Sequence, residues 1–299
     1  MHKACSTSTF TRLAACASLL LGGWLQNTAQ ADTLHSLWEI HGAHNTVYLL
    51  GSIHVLRPGD YPLPKAVLNA YSDAKSVLME INLDEMNSPQ VQAEMLASAM
   101  LPEGKTLQSV LGPKGYSHAE TLARTVGVEL STFDSFAPWF VAEAISQLQL
   151  AQMGFDPQSG VEMFFAGHAQ TDGKTISGLE TAHDQIALFQ AMSLETQANY
   201  LLASLEEAHD LPKQVNSMVQ AWQHGDTAWF NTQLAQELGH DPVLYESVLG
   251  ARNHKWIPKI EALLRDDKNY LVIVGTGHLI GRDSVLDLLK KDGFSATQR

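Results

Sequence analysis

β-prone apolar runs lie towards the two ends of this chain, and amphipathic helical patterns fill its middle. Residues 36–41 (SLWEIH) and 46–50 (TVYLL) are short β-prone runs separated by GAHN, which predicts a β-hairpin. A helical pattern follows at 65–74, and the aliphatic run at 75–83 (KSVLMEINL) then predicts a buried strand. This strand–helix–strand order is typical of a parallel unit.

From about residue 84 to residue 266 the pattern is mainly helical, with capping residues and glycine stops. A short β-like run, KTISGLE at 174–180, interrupts it. The most strand-like run, NYLVIVG at 269–275, comes next, and SVLDLLKKDG predicts a closing helix. No low-complexity linker divides the chain. We therefore predict one α/β domain over residues 32–299, with a mostly parallel sheet built from the two ends of the chain and a large helical insertion.

The first 31 residues have the layout of a secretory signal peptide. Lys3 and Arg12 are the only charged residues, an apolar segment (LAACASLLLGGWL) follows, and Ala29-Gln30-Ala31 offers a small-x-small cleavage site. We expect residues 1–31 to direct export to the periplasm or beyond. Because the apolar segment is shorter than the ~20 residues of a spanning helix, we expect no stable membrane anchor.

Charge and cysteine content narrow the class of protein. The formal net charge is −13, and acidic residues are spread along the chain, which argues against nucleic-acid binding because that needs a basic face. Cys5 and Cys16 are the only cysteines and lie in the predicted signal peptide. The mature chain would therefore hold any metal with His, Asp and Glu.

Four titratable residues stand at or just after the ends of predicted strands: His54, Glu80, Glu180 and His278. In an open parallel sheet, ligand sites lie at the carboxyl ends of the strands, so we expect these four side chains to meet at one edge. Imidazole and carboxylate groups suit Mn²⁺, Co²⁺, Zn²⁺ or Fe²⁺. For each glutamate, the alternative is an ordinary strand-end carboxylate.

Both histidines follow a glycine by three residues, in the patterns Gly51-x-x-His54 and Gly275-x-Gly277-His278. We expect the three glycines to allow sharp turns, in conformations closed to residues with side chains. One such pattern could arise by chance among 13 histidines, but two after apolar strands are more specific. Other histidines fall on predicted helices or their ends, where solvated or capping roles are expected: His168, His183, His209, His224 and His240.

Several well-known catalytic motifs do not occur. The chain has no His-Glu-x-x-His, no Gly-x-Ser-x-Gly and no phosphate-binding Gly-x-x-x-x-Gly-Lys. The loop GTGHLIG is spaced differently from a dinucleotide-binding loop. Too little chain follows it for the second strand and the acidic ribose contact, so we exclude nucleotide binding.

Taken together and in order, a set of short motifs resembles the TraB/GumN family, whose members include the TIKI proteases and the PrgY pheromone-shutdown proteins. The resemblance covers nearly the whole mature chain. The motifs are LLGSIHVL (49–56), VLMEINL (77–83), LPEGKTL (101–107), APW (137–139), GVE (160–162), GLET (178–181) with Gln185, ARN (251–253) and VGTGHLIG (274–281).

The resemblance implies a metal-dependent hydrolase site. It implies that His54, His278 and Glu80 hold the metal, and it marks Glu162, Glu180 and the Arg252-Asn253 pair as further recurrent positions. We expect Glu80 or Glu180 to act as general base on water. Arg252 is a candidate for binding a substrate carboxylate or an oxyanion; the alternative for Arg252 and Asn253 is a helix-junction cap or salt bridge.

Two functions remain open from the sequence. The first is an exported metal-dependent hydrolase, peptidase-like or amidase-like, acting on a peptide or on a small amide or ester. The second is a protein that sequesters a peptide or a metal-containing ligand without turning it over. An open, water-accessible metal position beside a free carboxylate would favour the first, and a closed site the second.

Overall fold

A six-stranded sheet forms the centre of the protein, seen in a computed structural model that describes residues 33–239 and 242–299. The strand order is β4-β3-β5-β2-β1-β6. The strands are β1 (Leu37–His41), β2 (Thr46–Ser52), β3 (Ser76–Met79), β4 (Thr175–Gly178), β5 (Tyr270–Gly275) and β6 (Ala296–Gln298). The predicted signal peptide, residues 1–31, lies outside the described residues.

Strand β5 lies inside the sheet, between β3 and β2, and its apolar sequence suits burial on both faces. Its residues Tyr270 to Val274 are all buried, as expected for an uninterrupted apolar run in a parallel sheet. β5 pairs in parallel with β2 on one side and with β3 on the other, and β3 pairs in parallel with β4. β1 pairs antiparallel with β2 through the predicted hairpin. The predicted α/β fold with a mostly parallel sheet is confirmed.

The parallel register brings four strand ends to one edge of the sheet. Ser52 lies beside Gly275, and Met79 lies beside both Ile273 and Gly178. Whatever follows these residues in the chain therefore emerges at the same edge. This topology brings titratable residues from distant parts of the sequence close together.

The sequence analysis missed strand β6 at the C-terminus. Its three residues, Ala296–Gln298, pair antiparallel with β1, and the Gln298 side chain donates to the carbonyl oxygens of His35 and Gly225. The strand has no apolar alternation because it lies at the sheet edge and is largely exposed. Without such alternation, periodicity gives no strand signal.

Helices cover the sheet and fill the long middle of the chain. The described helices are α1 (Lys65–Asp73), α2 (Leu83–Met86), α3 (Pro89–Ala99), α4 (Leu107–Thr125), α5 (Pro138–Gln152), α6 (Val161–Asp172), α7 (Ala182–Ala191), α8 (Leu194–Glu207), α9 (Leu211–Gln223), α10 (Thr227–Glu237), α11 (Pro242–Tyr245), α12 (Ala251–Leu264) and α13 (Val285–Lys291). Helix α4 is kinked at Gly112, where φ is 68°. Among the described residues, none of the helices has both the length and the apolar character to cross a bilayer.

The helical insertion has a hydrophobic core of its own. Buried residues from α3, α4, α5 and α8 form a cluster separate from the one around the sheet. Trp139 on α5 stacks on Phe189 of α7 with ring centroids 4.3 Å apart. The insertion is thus packed internally, apart from the core around the sheet.

Truncating the central strand should destabilise the whole protein. Leu271 is fully buried in β5, so Leu271→Ala should lower the free energy of unfolding by about 2–5 kcal/mol through lost burial and a residual cavity. Leu96 on α3 is 58% exposed, so the same substitution there should change stability by no more than about 0.5 kcal/mol. Denaturant unfolding of both variants tests this. Equal losses would contradict the placement of β5 at the centre.

Candidate functional site

The four predicted site residues all emerge at the carboxyl edge of the sheet. Glu80 directly follows β3, Glu180 lies two residues after β4, His54 lies two residues after β2, and His278 sits in the 3₁₀ turn that follows β5. Glu80 and His278 are buried, with 7% and 3% exposure. His54 is exposed, with 70% of its side chain accessible to solvent. The edge therefore has a buried part and an open part.

An ion cluster occupies the buried part. The Nη2 group of Arg252 donates to Glu80 and, at 2.5 Å, to Glu180, while its Nε donates to Glu180 at 3.0 Å. Glu80 also accepts the N–H of Gly275 at 2.7 Å. Gln185 donates to both carboxylates at 3.2 Å. The guanidinium therefore ties together the ends of β3 and β4, and it compensates only one of two buried negative charges.

Burial by itself would raise the pKa of the Glu80 carboxyl. The positive charges of Arg252 and His54, together with the N–H of Gly275, outweigh burial and hold this pKa well below its ordinary value. For Arg252 itself, burial would lower the pKa, but hydrogen bonds and charge from Glu180 and Glu80 raise it above its ordinary value. Glu80 and Arg252 are therefore both ionised at neutral pH.

A π-helical turn precedes Arg252 and positions its side chain at the ion cluster. The π turn spans Glu246–Gly250, and α12 starts directly after it. The Nη1 group of Arg252 donates to the carbonyl oxygen of Val248 in that turn, at 3.1 Å. One helical turn later, Trp256 donates its indole N–H to Glu180 at 3.3 Å. Single π turns inside helices often mark functional sites, because they rotate side chains out of the regular helical pattern.

His278 is held by hydrogen bonds at both ring nitrogens. Its Nδ1 lies 2.7 Å from Oδ1 of Asn253, whose amide group donates to the carbonyl oxygen of Asp283. Asn253 thus presents its oxygen to the ring, which assigns the proton of His278 to Nδ1. Nε2 is left as an acceptor, and it takes a hydrogen bond from Nη1 of Arg252 at 3.0 Å. It lies 3.9 Å from Oε1 of Glu80.

Burial lowers the pKa of His278 to about 3, and the charge of Arg252 acts in the same direction against the opposing effect of Glu80. The imidazole is therefore neutral at physiological pH. The ring also packs on Trp256, with centroids 4.4 Å apart. A neutral imidazole with a fixed proton at Nδ1 and a lone pair at Nε2 is the form that binds metals.

His54 has a different partner and a different charge state. Its Nδ1 lies 2.8 Å from Oε1 of Glu162, which also accepts the hydroxyl of Ser52. The charge of Glu162 and its hydrogen bond raise the pKa of His54 to about 9. Because the imidazole is largely exposed, solvent screens part of this interaction. Nδ1–H is thereby fixed on Glu162, and Nε2 faces away from it.

A close backbone approach brings Glu162 to His54. Gly160 precedes α6, and a methyl group placed on it would lie only 2.2 Å from the carbonyl oxygen of His54. Only glycine therefore fits between the start of α6 and the loop that carries His54. The N–H of Val161 donates to the carbonyl oxygen of Ile53 at 3.1 Å and fixes the same junction.

The predicted reason for the three site glycines is wrong. None of Gly51, Gly275 and Gly277 has a positive φ, so none adopts a conformation reserved for glycine. Gly51 lies within β2, where a methyl group would come 2.9 Å from the hydroxyl of Thr276. A methyl group on Gly277 would make only ordinary contacts with two leucine side chains. Gly51 is therefore required because a side chain would collide with Thr276, and not because of its backbone conformation.

Gly275 leaves open the space on which the site converges. A methyl group there would lie 3.2 Å from Oε1 of Glu80, 3.7 Å from Cδ2 of His278 and 3.8 Å from Nε2 of His54. The open part of the sheet edge and its buried part therefore meet in front of Gly275. We call this space, bounded by His54, Glu80 and His278, the Gly275 cradle.

The donor atoms around the cradle suit a divalent cation. Two imidazoles and a carboxylate line it, and each imidazole has its other nitrogen anchored on an oxygen acceptor, as metal-binding histidines usually do. Nevertheless, in the part of the chain that the structure describes, no three such side chains form a ready-made metal cluster. In this structure the lone pair at Nε2 of His278 accepts a hydrogen bond from Arg252.

Three contributors were missed as site residues by the sequence analysis. Gln185 and Ser52 were noted only as parts of motifs, and Trp256 stood outside every motif. Trp256 follows Arg252 by four residues and so shares its helix face, which was a usable signal. Ser52 and Gln185 carried no such signal. His183, by contrast, is exposed and pairs with Glu94 at 2.5 Å, not with the sheet-edge site.

Comparisons with known proteins agree with the pattern of motifs. A family model described as the TraB/PrgY/gumN family matches residues 36–298. The uncharacterized protein YbaP of Escherichia coli (strain K12) is 22% identical over 244 residues, which cover 81% of this chain and 87% of that protein. An uncharacterized protein of Treponema pallidum is also 22% identical, with 93% and 86% covered.

Other relatives are named as metalloproteases. The metalloprotease TIKI2 of Xenopus tropicalis is 22% identical over 320 residues, which cover 89% of this chain. The aligned part makes up 60% of TIKI2, so this chain spans less than two thirds of that relative. No solved structure matches the chain.

Filling the Gly275 cradle should weaken metal binding. Gly275→Ala places a methyl group 3.2 Å from Glu80 Oε1, so we expect Mn²⁺ affinity to fall by about tenfold or more. Gly277→Ala is the matched control, because its methyl group meets only leucine side chains at 3.5 Å or more. Calorimetric titration of both variants with Mn²⁺ distinguishes them. Equal affinities would show that the cradle holds no cation.

Widening the junction beneath His54 should destabilise the protein. Gly160→Ala forces the His54 loop away from α6, and we expect the free energy of unfolding to fall by about 1–3 kcal/mol. Gly167→Ala, on the same helix but with open space around it, should instead stabilise by up to about 1 kcal/mol. Urea unfolding of the two variants measures both changes, and a neutral Gly160→Ala would refute the tight junction.

Proposed function

The chain belongs to the TraB/PrgY/gumN family, and from that membership and the geometry of the sheet edge we propose that it is an exported metal-dependent hydrolase. Its substrate would be a peptide or a small amide or ester. The observation that carries the proposal is the Gly275 cradle, where both Gly-x-x-His histidines and Glu80 converge. The metalloprotease names of distant relatives support the same class of reaction.

The residues that would hold the cation are His54, His278 and Glu80. Their facing atoms are Nε2 of each imidazole and Oε1 of the carboxylate. Because the pKa of His54 is raised to about 9, its Nε2 would have to lose a proton to a bound cation. When bound, a divalent cation supplies Lewis acidity, which polarises a carbonyl group and makes water easier to deprotonate. Glu162 and Asn253 would act through the histidines by fixing each ring and its proton at Nδ1.

Proton transfer requires a carboxylate at the same place, and Glu80 suits it better than Glu180. Oε1 of Glu80 faces the cradle. Both oxygens of Glu180 are instead engaged by Arg252, and its carboxylate also accepts from Gln185 and Trp256. We therefore assign the proton-accepting role to Glu80. In the metal-free protein the lowered pKa of Glu80 opposes proton uptake, so this role requires the Lewis acidity that a bound cation would supply to water.

Arg252 is poorly placed for the substrate-binding role considered from the sequence. It is 8% exposed, and its Nε and both Nη groups donate to residues within the protein. The salt-bridge alternative describes its contacts better. In this assignment Glu180 and Arg252 support the reacting residues and do not touch the substrate.

A sequestering protein remains the second candidate, because one observation favours it. Nε2 of His278 already has a hydrogen-bond donor in Arg252, which leaves fewer free ligand atoms than an open catalytic centre requires. Such a protein would bind its ligand through the exposed His54 and would not hydrolyse it. Metal content and turnover separate the two candidates.

Removing both histidines should abolish metal binding and hydrolysis together. We expect about one equivalent of Mn²⁺, Co²⁺ or Zn²⁺ in the wild-type protein and none in the His54→Ala/His278→Ala variant, measured by elemental analysis after reconstitution. Activity on a peptide and ester library should fall at least a hundredfold. His118→Ala is the control, since His118 is an exposed, carboxylate-paired histidine on α4.

Retention of metal and turnover in the double variant would refute the proposal. Metal bound without turnover in the wild type, across the whole library, would favour the sequestering protein. The export part of the proposal comes from residues 1–31 alone. Cell fractionation of a producing strain tests it, and intact protein confined to the cytoplasm would contradict it.

A further inference from the structure

Arg252 and a cation compete for the same atom. The Nη1 group of Arg252 donates to Nε2 of His278 at 3.0 Å, and this contact is buried. Nε2 is the nitrogen that the proposed hydrolase would use as a metal ligand. A guanidinium has only donors and stays protonated, so it cannot share the lone pair with a cation.

His278 has no second nitrogen to offer. Its Nδ1 is committed to Oδ1 of Asn253, which is itself fixed by a hydrogen bond from its amide group to the carbonyl oxygen of Asp283. Asn253 is fully buried, and a flip of its amide would break both contacts. Any cation held by His278 must therefore take the place of the Arg252 hydrogen bond.

Arg252 can release His278 without leaving the cluster. Its Nε and Nη2 groups donate to Glu180, and Nη2 also reaches Glu80, on the side of the guanidinium away from Nη1. A small rotation about the Glu180 contact would free Nε2 of His278 and keep the charge pair. Admitting a cation then costs the Nη1 hydrogen bond to His278 and disturbs the Nη1 hydrogen bond to Val248, but it leaves the ion pairs with Glu180 and Glu80 in place.

The charges of the cluster explain why a cation would bind beside Arg252. Glu80 and Glu180 are two buried carboxylates with 9% and 6% of their side chains exposed, and Arg252 compensates only one of them. Without any cation nearby, burial of both charges would be strongly unfavourable. The remaining negative charge attracts a divalent cation to the Gly275 cradle.

From these contacts we propose that Arg252 is an internal counter-ion that holds the metal-free site together and excludes the metal from His278, so that it sets the metal affinity of the site. This inference rests on the proposed metal-dependent function. It makes Arg252 a positioning residue, which acts on the cation through His278 and Glu80. The bound cation would accordingly be exchangeable, and the empty protein would stay folded.

A charge-balanced double variant tests the competition. Arg252→Met/Glu180→Gln removes one positive and one negative charge, so the net charge of the cluster is unchanged while Nε2 of His278 becomes free. We expect Mn²⁺ and Zn²⁺, each titrated alone against a fluorescent chelator, to bind about tenfold to hundredfold more tightly than to the wild type, because a charge-assisted hydrogen bond no longer has to be broken.

The single variant Glu180→Gln is the matched control. It keeps Arg252 and removes only negative charge, so its metal affinity should be lower than that of the wild type. Affinity in the double variant that equals or falls below the wild-type value overturns the competition, while leaving the proposed function intact. Absence of binding to every variant and to the wild type overturns both.

Thermal unfolding in the presence of a chelator tests the metal-free half of the proposal. Arg252→Met alone leaves two buried carboxylates without a counter-ion, and we expect its midpoint to fall by about 5 °C or more. Adding Glu180→Gln should recover at least half of that loss. If Arg252→Met unfolds at the wild-type temperature, Arg252 does not hold the metal-free site together.

Discussion

Two carboxylates buried against a single guanidinium are the constraint on which the sheet-edge site depends. Glu80 and Glu180 follow different strands, and Arg252 bonds to both. Removing one partner of a buried ion pair commonly costs about 3–5 kcal/mol, because the other charge remains buried and unpaired. The ends of β3 and β4, the start of α12 and the orientation of His278 are thereby fixed by one set of contacts.

Around that cluster, the sheet and the helices contribute different parts of the site. The sheet brings His54, Glu80 and His278 to one edge through its parallel register. The helices supply the groups that orient them: α6 brings Glu162 to His54, and α12 brings Asn253 to His278. The proposed ligands thus lie on short segments after strands, and the residues that orient them come from the first turns of two helices.

The two histidines occupy similar places in the chain but differ in charge. Glu162 raises the pKa of the exposed His54 to about 9, whereas burial lowers the pKa of His278 to about 3. At neutral pH the His54 imidazole is therefore protonated at both nitrogens and positively charged, whereas His278 is neutral, with a proton at Nδ1 and a lone pair at Nε2. A pair of groups whose environments drive their pKa values apart is a common mark of a functional site.

The sequence predicted the elements that carry a strong local signal. β5 could be identified because Tyr270 to Val274 are five successive apolar residues, all of which the fold buries. The Gly-x-x-His motif that follows the strand located His278. β6 could not be predicted, since three largely exposed residues at a sheet edge have no period. A salt bridge was considered for Arg252, but its partners could not be predicted: Glu80 lies 172 residues away, and only the folded register shows that they meet.

The most direct test of this account is the anomalous diffraction of crystals grown with Mn²⁺. We predict one strong peak in the Gly275 cradle, about 2.0–2.3 Å from Nε2 of His54, Nε2 of His278 and Oε1 of Glu80, with Arg252 turned off His278 onto Glu180. A crystal saturated with Mn²⁺ that shows no peak there, and in which Arg252 still donates to His278, would contradict the claim that these three residues share a cation.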